Sequence, residues 1–341
     1  MPVSPRRATL ATVAASAGVS VATVSKVLNG RSDVAPATRS LVQSLLQRHD
    51  YVAPSPRRAK AMTLSTVEVQ FDVDLNAYST EIIQGAVEAG AEVGVGVVVS
   101  IRRDSDRTAA WARDLMAAGR KALIAVTSEL TSGQLSAVSR AHLPLVVIDP
   151  LNLPRARMTS VGSTNFAGGL AATQHLLSLG HRRIAYIGGP ATAACNQARL
   201  HGYRAAMEAE GVPVLPDYVQ TGHFRYTYGV AAAATLLDLP EAPTAIFAGS
   251  DETALGVMEA ARGRGLRIPE DLSIVGFDDT QLAPRASPPL TTVRQPLREM
   301  GKVALRTALR LAATEKIDSH HVELATELIV RGSTAPAAPD A

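Results

Sequence analysis

The sequence predicts a small all-α head, a linker and a larger α/β body. Residues 9–51 carry apolar side chains at helical spacing, with a break at Gly18. From Val67 onward, short β-branched runs alternate with segments of helical length, a pattern typical of parallel sheets covered by helices. Residues 53–63 combine two prolines with three cations and few bulky apolar side chains, which is the composition of a linker.

The head is predicted to hold three short helices. Thr9 stands at the N-cap position of the first helix, and Ser20 can cap the second. The apolar positions that repeat at helical spacing in the first two helices are Leu10, Val13, Ala14, Ala17, Val21, Val24, Val27 and Leu28. Pro36 is placed to begin a third helix that ends near Tyr51. Its apolar side chains, which we expect to close the small core, are Leu41, Val42, Leu45 and Leu46.

The other face of the second helix is small, polar and cationic, which suits a DNA major groove about 12 Å wide. Hydroxyl groups can bond to base edges or phosphates, and a lysine can reach guanine. The candidate DNA-contacting residues of the head and the linker are Thr9, Ser20, Val21, Ala22, Thr23, Ser25, Lys26, Asn29, Arg57, Arg58 and Lys60. The alternatives are an ordinary three-helix core, which shows the same stripes, and a plain basic tether.

The distribution of charge favours DNA binding. Residues 1–62 contain nine Lys or Arg and two Asp, a net charge of +7, whereas the whole chain carries +3, so the remainder carries about −4. A basic head on a mildly acidic body is what phosphate binding requires. The pI near 9.1 therefore argues for a nucleic-acid partner of the head alone.

Composition sets further limits. A chain of 341 residues with 46% hydrophobic residues can form two or three domains. Cys195 is the one cysteine, so an internal disulfide is excluded, which agrees with a reducing cytoplasm. No apolar run follows Arg6 and Arg7 or reaches membrane-spanning length, so we expect a cytoplasmic protein. The histidines show no metal-ligand spacing, and the adjacent His320 and His321 are interpreted as a loop, so neither a metal nor a cofactor is expected.

Several predicted strands of the body end in polar residues. The predicted buried parallel strands are residues 67–71, 95–101, 122–126, 145–148, 183–189, 245–249 and 273–277, and the main helices are 79–91, 167–179, 198–210, 228–237 and 252–264. The polar residues that follow strands include Asp72, Thr127, Asp149, Ser250, Asp251, Asp278 and Asp279. Ligands collect beyond the carboxyl ends of such strands. Each residue alone is equally compatible with a helix N-cap or a turn.

Five blocks in order carry a resemblance to a known family. They are TVAASAGVSVATVSKVLNG, LSLGHRRIAYIGG, ARLHGYRAAMEAEG, AIFAGSDETALGVMEAARGRGLRIPEDLSIVGFDD and PPLTTVRQPLREMG. They resemble the lac-repressor (LacI/GalR) family of bacterial transcription regulators over nearly the whole chain. The resemblance implies a homodimer whose paired heads bind a pseudo-palindromic operator. It also implies a body of two Rossmann-like subdomains that resemble periplasmic sugar-binding proteins.

The resemblance also implies boundaries. The chain crosses between the subdomains near 162–165, 289–295 and Leu324. The expected segments are a head at 7–52, a hinge linker at 53–64, a body at 65–334 and a disordered tail at 335–341. Within the body, the N-subdomain takes about 65–162 and 295–323, and the C-subdomain about 163–290 and 324–334.

The family's ligand-contacting positions can be carried onto this chain. They fall on Tyr78, Ser79, Asp149, Arg199, Phe224, Ser250 and Asp278. Independently of the family, two carboxylates, a guanidinium and an aromatic ring suit a sugar, because they serve hydroxyl pairs and C–H faces. The alternatives are that Arg199 pairs with carboxylates near Glu208 on its own helix, that Phe224 is a core residue and that Tyr78 lies in a surface turn.

Two positions depart from the family pattern. Ser250 stands where Asn is common, which reduces the hydrogen-bonding capacity of that position and leaves the ligand open. Lys60 stands where the family usually has a leucine that wedges into the central base step, and a lysine cannot act as an apolar wedge. Met62 or Ala61 can replace that wedge through a register shift, or the DNA bend is weaker.

Three functions compete. The favoured one is a repressor whose operator affinity is controlled by a small sugar-like effector, with xylose or a xyloside as the first guess. The second is a carbohydrate-processing enzyme such as a glycosidase that uses two of Asp149, Asp251 and Asp278. The third is a solute-binding receptor, which leaves the head unexplained. Effector identity, inducer or corepressor action, operator sequence, and dimer or tetramer state stay open.

Overall fold

The structure is a computed structural model that describes residues 9–28, 31, 33–49, 65–72, 75–102, 110–151 and 158–338. The chain divides into two compact units, residues 1–63 and 64–341. The predictions made for Asn29, Tyr51, Arg57, Arg58 and Lys60 lie outside the described residues.

The head consists of helices α1 (Leu10–Ala17), α2 (Val21–Leu28) and α3 (Pro36–Arg48). Thr9 caps α1, since its hydroxyl accepts from the backbone N–H of Thr12 at 3.3 Å. Gly18 ends α1 with φ +64°, a conformation that glycine adopts without strain. The Ser20 hydroxyl accepts from the Thr23 N–H at 3.1 Å and caps α2. Helices α1 and α2 meet at a bend of 106°, as in a helix-turn-helix.

The core of the head is formed mainly by valines. Its buried members are Val13, Ala14, Val24, Val27, Val34, Val42 and Leu46, with Leu45 packed against them. Leu41 was expected in this core, but it is 48% exposed because it lies on the outer face of α3, one residue before Val42. Val21 was assigned to the apolar stripe of α2, yet it is 47% exposed and belongs to the outward face.

Among the described residues, no single helix is both long and apolar enough to cross a membrane. Only α1 and α2 taken together, with the sharp bend between them, have sufficient length and composition.

The body alternates strands and helices. In chain order its elements are β1 (Thr66–Phe71), α4 (Ala77–Val93), β2 (Gly96–Ile101), α5 (Trp111–Ala117), β3 (Arg120–Val126), α6 (Ser132–Arg140), β4 (Leu145–Ile148), β5 (Thr159–Ser163), α7 (Asn165–Ser178), β6 (Ile184–Gly188), α8 (Ala194–Ala209), β7 (Val219–Thr221), α9 (Tyr226–Leu237), β8 (Ala245–Ala248), α10 (Asp251–Gly263), β9 (Ser273–Asp278), β10 (Thr291–Arg294), α11 (Leu297–Ala312), β11 (His321–Leu324) and β12 (Glu327–Ile329).

These strands form two six-stranded sheets. The first has the order β11-β5-β4-β3-β1-β2 and is parallel throughout, and with α4, α5, α6 and α11 it forms the first lobe. The second has the order β12-β10-β9-β8-β6-β7, and with α7 to α10 it forms the second lobe. Here β12 is antiparallel to β10. The chain passes between the lobes three times: after β5, after β10 and between β11 and β12.

Each lobe buries its own apolar core. In the first lobe, Val67, Val69 and Phe71 of β1 pack with Ile82 of α4 and Leu305 of α11. The second lobe has a core on each face of its sheet: one lies under α9 and α10, and the other contains the rings of Tyr186, Tyr203, Phe247 and Phe277. The predicted combination of an all-α head with an α/β body is thus confirmed.

Some predictions for the body were incomplete or wrong. The sequence did not predict β5, β7, β10, β11 and β12, because these strands are short or rich in Thr, Ser and charged residues. Strand β2 was predicted to be buried, but it is a sheet edge on which Val99 and Ile101 are 38% and 43% exposed. His321 was assigned to a loop, whereas it begins β11.

The tail was expected to be disordered from Ala335. That expectation is wrong for residues 335–338, because Ala335 exchanges hydrogen bonds with Ser273 and its carbonyl is within 3.1 Å of His181 Nε2. Ala337 N–H also donates to the Leu179 carbonyl at 2.8 Å. These contacts hold the chain end against the second lobe.

We expect Gly301→Ala to destabilise the body, because a Cβ at this position of α11 would overlap the Ile82 carbonyl of α4. Forcing the two helices apart should lower the free energy of unfolding by about 1–3 kcal/mol. Urea denaturation of the full chain measures the change. The matched control is Gly263→Ala in α10, where a Cβ meets no atom within 4 Å. Equal stability of the two variants would contradict close packing of α4 against α11.

Candidate functional site

Helix α2 presents part of its predicted DNA-contacting set to solvent. Val21, Ala22 and Lys26 are exposed, and Thr23 and Ser25 are partly exposed. The Lys26 ammonium lies 2.7 Å from Asp33 Oδ2, and this cation lowers the pKa of Asp33. Both side chains are more than half exposed, so solvent screens the pair and a phosphate or a base can replace Asp33 at little cost. The hydroxyls of Thr9 and Ser20 serve as helix caps.

A cavity of about 170 Å³ lies between the two lobes of the body. The carboxyl ends of both sheets contribute to its wall, as expected for parallel α/β structure. All seven predicted ligand-contacting residues line it, namely Tyr78, Ser79, Asp149, Arg199, Phe224, Ser250 and Asp278. The structure therefore brings the whole predicted set together, and contact with a ligand stays a prediction.

Asp149 is the acidic group that the first lobe contributes. It follows β4 with φ +44°, an uncommon conformation that is held by a hydrogen bond from its N–H to the Val161 carbonyl at 3.0 Å. The Tyr78 hydroxyl donates to its Oδ2 at 2.7 Å, so Tyr78 lies inside the cleft and not in a surface turn. Burial raises the pKa of Asp149, while Tyr78 and the Arg199 guanidinium oppose that rise.

Arg199 of α8 is the buried cation of the site, with 3% of its surface exposed. Its Nε donates to Asn165 Oδ1 at 2.7 Å, and its Nη1 donates to the Gly249 carbonyl at 2.6 Å. The guanidinium also lies 3.8 Å from the centroid of the Phe277 ring. The alternative of a pair with carboxylates near Glu208 is therefore wrong.

Asp278 is the acidic group of the second lobe. It ends β9 with φ +116°, and its Oδ1 lies 3.9 Å from Arg199 Nη1. The Gln295 side-chain amide donates to the same oxygen at 2.7 Å. Burial raises the pKa of Asp278 well above its usual range, although Arg199 and Gln295 favour the ionised form.

Three members of the predicted set have structural roles of their own. Ser79 forms a capping box with Asn76 at the start of α4, and Ser250 caps α10 by accepting from the Thr253 N–H at 3.1 Å. The Phe224 ring lies against Gly189, where a Cβ would overlap it, and its centroid is 5.3 Å from the Arg199 guanidinium carbon. One face of the cavity is thus aromatic, and the two serine hydroxyls are already engaged.

The sequence analysis missed several residues of the site. Asn165 holds Arg199, and Gln295 holds Asp278. Both follow strands that were not predicted, so the rule of polar residues after strand ends would have found them only if β5 and β10 had been recognised. At the rim, the Asn76 amide of the first lobe donates to Glu252 Oε2 of the second lobe at 3.2 Å. Cys195 also lines the cavity, and burial raises the pKa of its thiol to about 11.

Asp251 does not line the cavity, although it was one of the three candidate catalytic acids. Its carboxylate accepts hydrogen bonds from Thr280 N at 2.7 Å, Thr280 Oγ1 at 3.0 Å and Thr292 Oγ1 at 2.6 Å. Complete burial raises the pKa of Asp251 to about 7, against these hydrogen bonds. In the part of the chain that the structure describes, no group of three His, Cys, Asp or Glu is arranged to hold a metal.

A helix-turn-helix head and a two-lobed body around a cavity with convergent charged and aromatic side chains define the class of ligand-responsive DNA-binding regulators. Residues 9–54 match the family of bacterial regulatory proteins described as lacI family, and residues 173–334 match the periplasmic binding protein-like domain. The HTH-type transcriptional regulator CelR of Thermobifida fusca is 34% identical, over 96% of this chain and 98% of that protein. The chain belongs to the LacI family of bacterial transcriptional regulators.

Solved structures support the same family assignment. The transcriptional regulator CelR in complex with cellobiose has a TM-score of 0.72 and 33% identity, over 96% of this chain and 100% of that one. The lac repressor dimer bound to operator and the anti-inducer ONPF has a TM-score of 0.72 and 25% identity, over 97% of this chain and 100% of that one. The predicted family and two-lobed fold are confirmed. Because the relatives are named as regulators, the expectation that the chain is not an enzyme is also confirmed.

We expect Asp251→Asn to change how stability depends on pH. Between about pH 4 and pH 7 native Asp251 keeps a proton that the unfolded chain has lost, because its pKa is raised to about 7. The free energy of unfolding of the wild type should therefore fall as pH rises through this window. The neutral amide removes this contribution, so the variant should gain stability relative to wild type from pH 5 to pH 8.

Urea denaturation at these two pH values measures the difference. Asp217→Asn, at an exposed position, is the control and should follow the wild type. An unchanged pH dependence in Asp251→Asn would mean that native Asp251 is already ionised at pH 5.

Proposed function

We propose that this regulator is a repressor whose affinity for its operator is controlled by a small sugar-like effector bound in the cavity between the lobes. The observation that carries the proposal is the convergence of Asp149, Arg199, Asp278 and Phe224 on one cavity. Supporting it, the relative CelR is described in complex with cellobiose.

The chemistry of the cavity suits a neutral polyhydroxyl ligand. Asp149 and Asp278 can accept from hydroxyl pairs, and the Phe224 ring offers a flat face for C–H groups. Arg199 brings one positive charge that interacts with both acids, so the cavity has no excess of positive charge that would call for an anionic ligand. We propose xylose or a xyloside as the effector to test first, together with cellobiose.

Ligand contacts on both lobes would couple effector binding in the cavity to operator binding by the head. We propose that residues 65–162 with 295–323, and 163–290 with 324–334, act as the two moving parts. A ligand shifts their equilibrium only by its difference in affinity for the two arrangements. Operator binding and effector binding then change each other's affinity by the same factor.

The DNA-bound form is proposed to be a homodimer on a pseudo-palindromic operator, acting in the cytoplasm. The lac repressor structure supports this form, since it is described as a dimer bound to operator. Thr9, Ser20, Val21, Ala22, Thr23, Ser25 and Lys26 are the described candidates for contact with DNA.

We expect a sugar effector to raise the melting temperature of the wild type. At 100 times its Kd a ligand stabilises the native state by about 2.7 kcal/mol. Xylose, xylobiose, ribose, glucose and cellobiose at 10 mM form the panel. Arg199→Ala should abolish the shift, because it removes the guanidinium donor that interacts with both acids. Asp149→Asn keeps an acceptor for Tyr78 and should weaken the shift without unfolding the lobe.

Arg140→Ala, at an exposed position at the end of α6, is the control and should keep the full shift. Absence of a shift with every sugar, or a shift that survives Arg199→Ala, would contradict a sugar effector at this site.

Lys26→Ala should weaken binding to an operator selected from a pool of random duplexes. If Lys26 contacts a phosphate, the slope of log affinity against log salt should fall by about 0.9, whereas contact with guanine should relax the preference at one base pair. Fluorescence anisotropy at several salt concentrations measures both. Lys316→Ala, at an exposed position in the body, is the control. Equal wild-type affinity for selected and random duplexes would exclude sequence-specific binding.

A further inference from the structure

The pocket acid Asp278 is joined to two of the three connections between the lobes. Gln295 donates its side-chain N–H to Asp278 Oδ1 at 2.7 Å, and it lies in the connection between β10 and α11. The carbonyl oxygen of the same amide accepts from the Ser163 hydroxyl at 2.5 Å. Ser163 ends β5, where the first connection begins. One side-chain amide therefore links the pocket carboxylate to both connections.

The next residue, Asp279, contacts the start of the second connection and a residue that follows β12. Its carboxylate accepts from Arg294 Nε at 2.7 Å and from Arg331 Nη2 at 2.6 Å. Arg294 ends β10, and its Nη1 also lies 3.4 Å from Glu327 Oε2 in β12. The consecutive aspartates thus contact the second connection directly, through Gln295 and Arg294. Through these two side chains they are linked to Ser163 at the first connection and to Glu327 at the third.

The backbone of this dipeptide is in an unfavourable conformation. Asp278 has φ +116° and Asp279 has φ +53°, values that non-glycine residues rarely adopt. Such a conformation persists only where the surroundings determine it, and it is common in segments that change shape. Here the dipeptide is surrounded by hydrogen bonds to both carboxylates and by one from the Gln295 N–H to the Asp278 carbonyl at 3.2 Å.

Gln295 is isolated from both water and the ligand cavity. It is 3% exposed and Ser163 is 1% exposed, and Gln295 does not line the cavity. If one partner moves away, a buried polar group loses its hydrogen bond, which is costly in the protein interior. The position of Asp278 and the positions of both connections are therefore tied together.

We propose that Gln295 is a positioning residue that couples effector contact at Asp278 to the angle between the lobes. This proposal rests on the proposed function, and it assigns the transmission of the effector signal to one side-chain amide. Effector hydroxyls that bind Asp278 shift its carboxylate, and Gln295 passes the shift to Ser163 and to its own connection. Gln295 itself makes no contact with the effector.

The first test measures binding and coupling separately with Gln295→Met, which keeps the size of the side chain and removes both hydrogen bonds. The probe is the sugar of the panel that shifts the wild type most. We expect its Kd to change less than threefold. The ratio of operator Kd with and without sugar should move at least fivefold toward one. Gln197→Met, an exposed glutamine on α8, is the matched control and should leave the ratio unchanged.

A second variant separates coupling from simple loss of packing. Ser163→Ala leaves the bond between Gln295 and Asp278 intact and removes only the link to the first connection. It should move the ratio of operator Kd with and without sugar toward one, as Gln295→Met does. The double variant should then lose little more of the coupling between sugar and operator binding than Gln295→Met alone. The proposal would be overturned if the effects of Ser163→Ala and Gln295→Met on this ratio were fully additive. It would also be overturned if Gln295→Met had the same ratio as the wild type.

Hydrogen exchange of the free protein provides a test that needs no effector. We expect Gln295→Met to speed amide exchange at residues 159–165, 276–280 and 291–297 by at least tenfold, with Gln197→Met unchanged. Faster exchange at 291–297 alone would show a local packing role and overturn the proposal. If no sugar binds, the thermal-shift assay contradicts the proposed function. The link through Gln295 is then still tested by hydrogen exchange of the free protein.

Discussion

The burial of one guanidinium organises the centre of this molecule. A charge removed from water must be matched by hydrogen bonds and opposite charge, or its burial costs several kcal/mol. Arg199 obtains these from Asn165 at the start of α7, from the Gly249 carbonyl after β8 and from Asp278 at the end of β9. Three elements of the second lobe therefore converge on a single side chain.

That convergence determines what the cavity can bind. Burial raises the pKa of both Asp149 and Asp278, and for each acid Arg199 opposes the rise. One cation acts on two acids, so the cavity presents carboxylate acceptors and a guanidinium donor and has no excess of positive charge that would call for an anionic ligand. The Asn76–Glu252 hydrogen bond and the bond from the Ala194 N–H to the Leu151 carbonyl at 2.9 Å already join the lobes at the rim. A ligand that contacts Asp149 and Asp278 together would add a further link between the lobes.

The sequence was informative where a buried strand is also made of apolar residues. Buried strands such as β3 and β8 are short apolar runs, so their ends and the acids that follow them could be predicted. Strands β5 and β10 contain Thr and Ser at positions that are buried all the same, so no hydrophobic pattern marks them. The residues missed in the site, Asn165 and Gln295, follow these two strands. Similarly, a serine near the start of a helix is compatible with both a ligand contact and a capping role, and the folded structure shows that Ser79 and Ser250 take part in helix capping.

Four of the five strands that escaped prediction, β5, β10, β11 and β12, border the crossings between the lobes. A connection that must change its angle cannot be fixed by a large apolar core, because close-packed interiors do not deform continuously. Buried hydrogen bonds instead fix discrete positions, because a buried polar group that loses its partner is costly. Ser163 and Gln295, and the Thr164–Thr326 hydroxyl pair at 2.9 Å, provide such contacts at the crossings. The weak hydrophobic signal of β5 and β10 thus follows from the mechanical role proposed for the segments that they begin.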